Sequence, residues 1–262
     1  MTYTLHRGST PLLVGMPHVG TDLPPDMAQH LVPRALQVED TDWHLERLYA
    51  FAAELGAGMI VPLHSRYLID LNRPSENTPM YPGLNNTELC PTRFFTGEPL
   101  YRDGHAPDAA EVQRRVARYW QPYRQALAGE LERLRAEHGH AVLFDAHSIK
   151  STLPWLFPGQ LPHMNLGTVD GNSCSPTLRQ RLAGVLADHP AYTHVVDGRF
   201  KGGHITRTHG QPAQKVHAVQ LEMCWRAYMD EEPRAWNSRT AADVTPLLRA
   251  LMLALRDWRP TA

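Results

Sequence analysis

Short apolar runs alternate along this chain with segments of helical periodicity, and this alternation constrains the fold more than any other feature. The apolar runs predict strands at residues 12–14, 59–61, 67–71, 141–144, 192–196 and 216–222. The helical patterns cover residues 42–55, 108–138, 176–187 and 245–258. Such alternation predicts an α/β fold, in which a mostly parallel, mixed sheet carries helices on both faces. No linker or internal repeat divides the sequence, so we expect residues 1–262 to form a single domain.

Two long connections in this pattern are candidates for functional loops. Residues 74–104 are rich in Pro, Gly, Asn and Thr and show no period, and residues 199–210 read as a Gly-rich loop. Long loops in compact domains are often functional. In open α/β sheets the ligand lies beyond the carboxyl ends of the strands, so we expect the site there.

Composition excludes several classes of protein. The 26 Lys and Arg residues nearly balance the 27 Asp and Glu residues, so the basic surplus of a nucleic-acid binder is missing. No apolar run approaches the roughly 18 residues of a membrane span, and the first ten residues lack a signal-peptide core. Three widely spaced cysteines, an odd number, argue against a disulfide framework. We expect a cytoplasmic protein with a small-molecule ligand, and its oligomeric state cannot be read from the sequence.

The common nucleotide and hydrolase motifs are missing. The sequence contains no GxGxxG after a strand, no GxxxxGK[ST], no GxSxG and no HExxH. Dinucleotide, P-loop and serine-hydrolase chemistry are therefore disfavoured. The chemistry must come from dispersed histidines, carboxylates and arginines.

Two histidines follow apolar strands and are candidate metal ligands. His18 follows the run 12–14, and His147 follows the run 141–144. A catalytic zinc takes three protein ligands, often imidazole and carboxylate, and keeps one position open. Either Asp22 or Asp42 could supply the carboxylate. The alternative is that each histidine only ends its strand in a turn.

Two acidic residues lie at strand ends. Asp145 precedes His147 by two residues in a strand, so both side chains point to one face and Asp145 could orient the imidazole. Glu222 ends the strand 216–222, where burial would be costly without a partner and would suit a general base. A salt-bridged structural role for Glu222 is equally consistent with the sequence.

Arginines cluster in the predicted loops, and guanidinium groups bind carboxylates in a two-pronged manner. These loop arginines are Arg66, Arg73, Arg93, Arg199 and Arg207. Several in one pocket would suit a dicarboxylate ligand, whereas most arginines in any protein are solvated surface charges. Arg73 and Arg207 are the strongest candidates, because their segments lie where the site is expected.

Six segments, in order, resemble the N-formylglutamate amidohydrolase family and span about residues 11–232. These segments are PHVG at 17–20, DTDWH at 40–44, SRYLIDLNR at 65–73, DAHS at 145–148, GGHITR at 202–207 and QLEM at 220–223. The family is similar in fold to zinc carboxypeptidases and acyl-amino-acid deacylases. The resemblance implies that His18 and His147 hold zinc and that Glu222 activates water.

The resemblance also implies the remaining site residues. Related carboxypeptidases place a Glu three residues after the first His, where this chain has Thr21, whereas the family keeps an acid at the position of Asp42. We therefore predict Asp42, rather than Asp22, as the third ligand. By the resemblance, Asn72 and Arg73 match the pair that binds a substrate carboxylate. From the loop arginines we also expect Arg207 at a carboxylate and Arg66 among the substrate-binding residues.

The reaction that the resemblance implies is hydrolysis of N-formyl-L-glutamate to glutamate and formate, at the end of histidine breakdown. The ligand would be a small, acidic N-acyl amino acid and the cofactor Zn²⁺ or another divalent metal. Two alternatives remain. The same zinc site could act on a succinyl or acetyl derivative, or the chain could be a non-catalytic amino-acid-binding relative.

Overall fold

The computed structural model describes residues 1–80, 83 and 85–260, and within them seven strands form one mixed sheet in the order β1-β3-β2-β4-β7-β5-β6. The strands of this sheet are β1 (Tyr3–His6), β2 (Leu12–Gly15), β3 (Gly58–Pro62), β4 (Ala141–Ile149), β5 (Met164–Gly167), β6 (His194–Val196) and β7 (Val216–Cys224). Strands β3, β2, β4 and β7 are parallel neighbours, whereas β1 and β5 pair antiparallel with β3 and β7. A short hairpin of β8 (Met229–Asp230) and β9 (Ala235–Trp236) lies outside the sheet.

Helices cover both faces of the sheet. The α-helices are α1 (Pro25–Ala28), α2 (Leu45–Leu48), α3 (Ala109–Arg115), α4 (Gln121–His138), α5 (Pro176–Ala187), α6 (His204–His209) and α7 (Ser238–Asp257). One core cluster joins α5 and α7 to one face, through residues such as Val142 and Leu248. The other joins α4 to the opposite face, through residues such as Leu143 and Leu127. The predicted fold class is confirmed. No helix of the described residues is long and apolar enough to cross a bilayer.

The predicted strand at 67–71 is wrong, because this segment is buried without being extended in the sheet. Turn bonds fold it: Leu68 N–H donates to the Ser65 carbonyl, and Arg73 N–H donates to that of Asp70. Its apolar side chains pack into the second core cluster from a loop. A continuous apolar run therefore indicated burial correctly but not the backbone conformation.

Three further elements differ from their predicted form. The helix at 42–55 is split into α2 and a 3₁₀ segment, Ala50–Leu55. The predicted loop at 199–210 contains α6. The closing helix begins at Ser238 rather than Thr245, because the side chain of Asn237 accepts two backbone N–H bonds and caps it.

Candidate metal centre and its pocket

The carboxyl ends of three parallel strands bring the candidate residues together. His18 follows β2, His147 lies near the end of β4, and Glu222 lies opposite it on β7, paired in register. Because neighbouring residues in register share a face of the sheet, the His147 and Glu222 side chains point to the same side. Asp42 joins them from the loop before α2, where its N–H donates to the His18 carbonyl at 3.0 Å.

Three side chains converge on one point. The Nδ1 atoms of His18 and His147 lie 3.1 Å apart, and Asp42 Oδ2 lies 3.2 Å from His147 Nδ1 and 3.7 Å from His18 Nδ1. All three residues are buried. Asp22 is exposed and does not belong to this group. The structure thus places Asp42, and not Asp22, beside both histidines.

Each imidazole is held from behind by a carboxylate. His18 Nε2 donates to Asp70 Oδ1 at 2.8 Å, and His147 Nε2 lies 3.1 Å from Asp145 Oδ1. The Nδ1 atoms of both rings face the common point, as ligation of a metal through Nδ1 would require. The sequence singled out Asp145 for this position. It gave no such role to Asp70, which lies inside the mispredicted strand.

The carboxylates around the two histidines favour binding of a cation between them. Burial alone would raise the pKa of Asp70, but His18 and Arg66 outweigh it and hold that pKa well below its usual range. Burial would lower the pKa of His147, yet Asp145 and Asp42 raise it well above the ordinary histidine value. Without a metal, the surrounding carboxylates therefore favour a proton on His147. A divalent ion at the same point would displace that proton and balance the carboxylates.

The donor set fits zinc. Two imidazole nitrogens and one carboxylate oxygen are typical catalytic ligands, and tetrahedral bonds of about 2.05 Å imply ligand atoms about 3.3 Å apart. The three observed separations, 3.1, 3.2 and 3.7 Å, bracket that value. His18, Asp42 and His147 could therefore hold one divalent metal and leave a coordination position open toward the pocket.

Glu222 lies in the pocket beside this cluster. Its side chain is buried, and burial raises its pKa to about 8. His147 opposes this shift, whereas Asp42 adds to it. A carboxyl group whose pKa lies near neutrality can both accept and return a proton.

A pocket opens beside the His18-Asp42-His147 group, and its walls carry three arginines. The pocket is lined by His18, Asp42, Arg66, Asn72, Arg73, Asn85, Asn86, Thr87, Phe95, His147, Ser148, Ile149, Leu156, Phe157, Arg199, Phe200, Gly203, Gln220 and Glu222. Walls that combine these cations with apolar side chains, next to a candidate metal site, suit a small anionic ligand.

Arg66 and Asn72 are fixed tightly at the inner wall. The Arg66 guanidinium bonds Asp70 Oδ2 at 2.6 Å, lies 3.9 Å from Asp42 Oδ1 and stacks over the Phe95 ring. Asn72 Oδ1 accepts from Ile205 N–H at 2.7 Å, and its Nδ2 lies 3.0 Å from His147 Nε2.

Gly203 is required beside Asn72. A Cβ atom at Gly203 would lie 2.3 Å from Asn72 Nδ2, so only glycine permits this approach. The Gly-rich segment found in the sequence therefore closes the wall behind Asn72.

Arg73 is oriented by neutral oxygens. Its Nε and Nη2 donate to the carbonyl and hydroxyl of Thr87, and its Nη1 donates to the Asn72 carbonyl. Trp120 Nε1 donates to the Arg73 carbonyl at 3.0 Å from a π-helical turn, Val116–Trp120, inside the predicted helix 108–138. Such π-bulges frequently occur at functional sites. This one fixes the backbone of a pocket arginine.

Arg207 is the one predicted substrate-binding residue that the structure does not bring to the pocket. It is exposed on α6, and its Nε donates to the Gly202 carbonyl. Arg199, five residues before α6, lines the pocket instead. Both arginines belong to the same loop cluster in the sequence, whose pattern favoured Arg207, so the structure reverses that preference.

This chain is similar to known proteins over most of its length. The model of the family described as N-formylglutamate amidohydrolase matches residues 10–229. The N-formylglutamate deformylase of Pseudomonas aeruginosa is 51% identical over 253 residues, which cover 96% of this chain and 95% of that protein. The N-formylglutamate deformylase of Pseudomonas putida is 47% identical over 256 residues, which cover 97% and 96%.

The fold is shared with solved structures. The N-formylglutamate amidohydrolase of Ralstonia eutropha superposes with a TM-score of 0.82 at 26% identity, covering 97% of each chain. A protein of Agrobacterium tumefaciens matches the fold with a TM-score of 0.72 at 16% identity, covering 96% and 93%. Sequence, fold and family model agree over nearly the whole chain. This chain therefore belongs to the N-formylglutamate amidohydrolase family.

Proposed function

We propose that this protein hydrolyses N-formyl-L-glutamate to L-glutamate and formate, with one divalent metal, expected to be zinc, held by His18, Asp42 and His147. The observation that carries the proposal is the buried His-Asp-His cluster beside Glu222, in a pocket with cationic walls. It occurs in a chain about half identical to two N-formylglutamate deformylases. The metal, when bound, would polarise the formyl carbonyl and lower the pKa of water.

Glu222 is the proposed general base and acid. Its carboxylate would accept a proton from the attacking water and return it to the leaving amine nitrogen. Burial raises its pKa to about 8, which matches proton exchange near neutral pH, although a bound cation would lower this value. The carboxylates of Asp70 and Asp145 would hold the two ligand imidazoles in place meanwhile.

Arg66 is the proposed donor to the oxyanion. Its Nε atom is buried and has no hydrogen-bond partner among the described residues, while Asp70 fixes its Nη2. A preorganised donor directed at developing negative charge is among the strongest contributions to catalysis. The charge of Arg66 is balanced by Asp70 and Asp42, so it can serve this role without requiring an anion in the ground state.

Arg73 is the proposed receptor for a substrate carboxylate, with Asn72 beside it. Among the described residues no carboxylate lies within 4.0 Å of the Arg73 guanidinium, which donates to the neutral oxygens of Thr87 and Asn72. A substrate carboxylate would supply the missing charge. Arg73→Lys should raise KM strongly, because an ammonium group cannot hold both Thr87 oxygens and a carboxylate in one plane. Arg207 remains a candidate by resemblance alone.

The biological setting that we propose is the cytoplasm and the end of histidine breakdown, as the family resemblance implies. The three cysteines are buried and unpaired, which is compatible with a reducing compartment. The alternative substrates, N-acetyl and N-succinyl amino acids, would need a larger space around the acyl group.

Turnover by the purified, zinc-loaded protein tests the proposal. Formate release from N-formyl-L-glutamate should exceed hydrolysis of N-acetyl-L-glutamate by roughly 10- to 200-fold, the usual effect of one methyl group in a tight pocket. Glu222→Gln should keep the metal and lose about two to four decades in kcat. Faster hydrolysis of the succinyl or acetyl derivative would replace the substrate assignment. Tight binding of N-formyl-L-glutamate without any hydrolysis would favour the non-catalytic alternative.

A further inference from the structure

A dicarboxylate substrate has two anionic groups, and the proposed role of Arg73 accounts for only one of them. Arg73 is available to one carboxylate, whereas the charge of Arg66 is already balanced by Asp70 and Asp42. Burying a second carboxylate without a cationic partner would be costly. The third arginine in the pocket wall is Arg199, which no motif of the resemblance includes.

The fold brings Arg199 to the pocket by a close chain crossing. After β6, the segment 197–203 turns back over β5. A Cβ atom at Gly167 would lie 2.7 Å from Gly202 N and 2.8 Å from the Phe200 carbonyl oxygen, so only glycine allows the crossing. The Val169 N–H donates to the Lys201 carbonyl at 2.6 Å and fixes the crossing chain.

The Arg199 guanidinium is held at the pocket wall by the opposite loop. Its Nη2 donates to the Leu156 carbonyl at 2.6 Å, which connects the segment 197–203 to the loop between β4 and β5. Arg73 enters the pocket from a different loop, the one that follows β3. The two guanidinium groups therefore approach the ligand space from separate segments of the chain.

The wall around Arg199 is apolar. Leu156, Phe157 and Phe200 line the same pocket, and the two phenyl rings pack edge to face with centroids 6.2 Å apart. An apolar wall with one cation suits a short methylene chain that ends in a carboxylate. The side chain of glutamate has this form.

We propose that Arg199 is the specificity-determining residue that binds the side-chain carboxylate of the substrate, while Arg73 binds its α-carboxylate. This inference rests on the proposed function, because it assumes an N-acyl glutamate in the pocket. If so, the preference for acidic amino acids depends on the segment 197–203 rather than on the His18-Asp42-His147 group.

Arg199→Met tests the inference, with Arg226→Met as the matched control. Arg226 also donates its Nη2 to a carbonyl of the loop between β4 and β5, that of Leu161 at 2.7 Å, but it does not line the pocket. For Arg199→Met, kcat/KM for N-formyl-L-glutamate should fall about 10- to 200-fold, the usual cost of losing a charged hydrogen bond. The rate with N-formyl-L-glutamine should change less than about threefold. Arg226→Met should keep the wild-type ratio of the two substrates.

Two outcomes would overturn the assignment. An equal loss with both substrates would show that Arg199 only orders the loop, and an unchanged ratio would show that the side-chain carboxylate lies elsewhere. Arg199→Lys, which keeps the charge but not the fork, should give an intermediate ratio and guards against a folding defect in the methionine variant. Melting temperatures of all variants provide the folding control.

Binding of L-glutamate, measured by calorimetry, separates this inference from the proposed reaction. Wild-type protein that binds L-glutamate through Arg199 but releases no formate would overturn only the proposed reaction. Wild-type protein that releases formate while Arg199→Met keeps full selectivity would overturn only the inference. Failure of both turnover and L-glutamate binding would overturn both.

Discussion

The two histidines of the His18-Asp42-His147 group each present Nδ1 to one point but are supported in different ways. His147 is held by Asp145, two residues earlier on the same strand, and Asp145 in turn accepts a bond from Thr206 Oγ1 at 2.9 Å. His18 is held by Asp70 from a distant loop, and Asp70 in turn pairs with Arg66. The His147 side is a local strand motif with a neutral neighbour, whereas the His18 side is a long-range ionic network.

This difference determines what each side can influence. Asp70 also accepts a bond from the Asn72 N–H at 2.9 Å, so one carboxylate contacts a candidate metal ligand, the proposed oxyanion donor and a pocket residue. Asp145 does not line the pocket, and among the described residues it is connected to it through His147. We therefore expect loss of the Asp145 carboxylate to affect the metal, and loss of the Asp70 carboxylate to affect the metal and the substrate together.

Removal of a candidate metal ligand should abolish both metal binding and turnover, and this is the largest expected effect. His18→Ala and His147→Ala should each lose the single metal ion and all measurable turnover, because two protein ligands are too few for a catalytic zinc site. Metal analysis after dialysis measures this. Asp42→Asn should behave similarly, and Asp22→Asn is the matched control that should keep its metal. Release of metal by Asp22→Asn but not by Asp42→Asn would reverse our choice of ligand.

Loss of Arg66 should lower the rate of catalysis without changing metal binding. Arg66→Met should lower kcat by about two to three decades, as removal of one oxyanion donor does, while the metal content stays at one ion. Arg66→Lys should recover part of the rate, since it restores the ion pair with Asp70. An Arg66→Met variant with normal kcat and a raised KM would instead assign Arg66 to ground-state binding of the substrate.

The two supporting carboxylates test the comparison directly. Asp70→Asn and Asp145→Asn should each weaken metal affinity about 10- to 100-fold, the usual cost of losing the group behind a ligand imidazole. At saturating metal, Asp145→Asn should regain nearly normal KM, whereas Asp70→Asn should not, because Arg66 and Asn72 lose their shared partner. Equal recovery of both variants would show that the two sides are equivalent.

The smallest expected effect is the pH dependence of folding stability that Glu222 causes. Burial raises the pKa of Glu222 from 4.5 to about 8 in the folded chain, so the protonated form is favoured by folding. The associated stability is present below about pH 4.5 and is lost as the pH rises through about 8. Glu222→Gln cannot ionise and should avoid this loss.

Thermal unfolding of the metal-free proteins measures that difference. At pH 5 the two Tm values should nearly coincide, and at pH 8 the glutamine variant should unfold at a temperature several degrees higher. The same gap at both pH values would mean that Glu222 does not titrate between them.

Local patterns were sufficient to predict much of the fold and half of this site. Apolar runs and helical periods predicted the central strands and the α/β class, because periodicity reflects which face of an element is buried. The pairing of Asp145 with His147 followed from the alternation of side chains along one strand. The strand predicted at 67–71 is wrong for the same reason. Its apolar residues indicate burial, and a buried loop has the same apolar pattern as a buried strand.

The sequence by itself determined the chemistry available to this protein: histidines at strand ends, a carboxylate on β7, and arginines concentrated in loops. The tertiary structure decided how these groups are combined. It put Asp42 rather than Asp22 beside the histidines, joined Asp70 to His18, and turned Arg199 toward the pocket while leaving Arg207 exposed on α6. These outcomes depend on chain crossings and on contacts between residues far apart in sequence, and no local pattern encodes a distance between two loops.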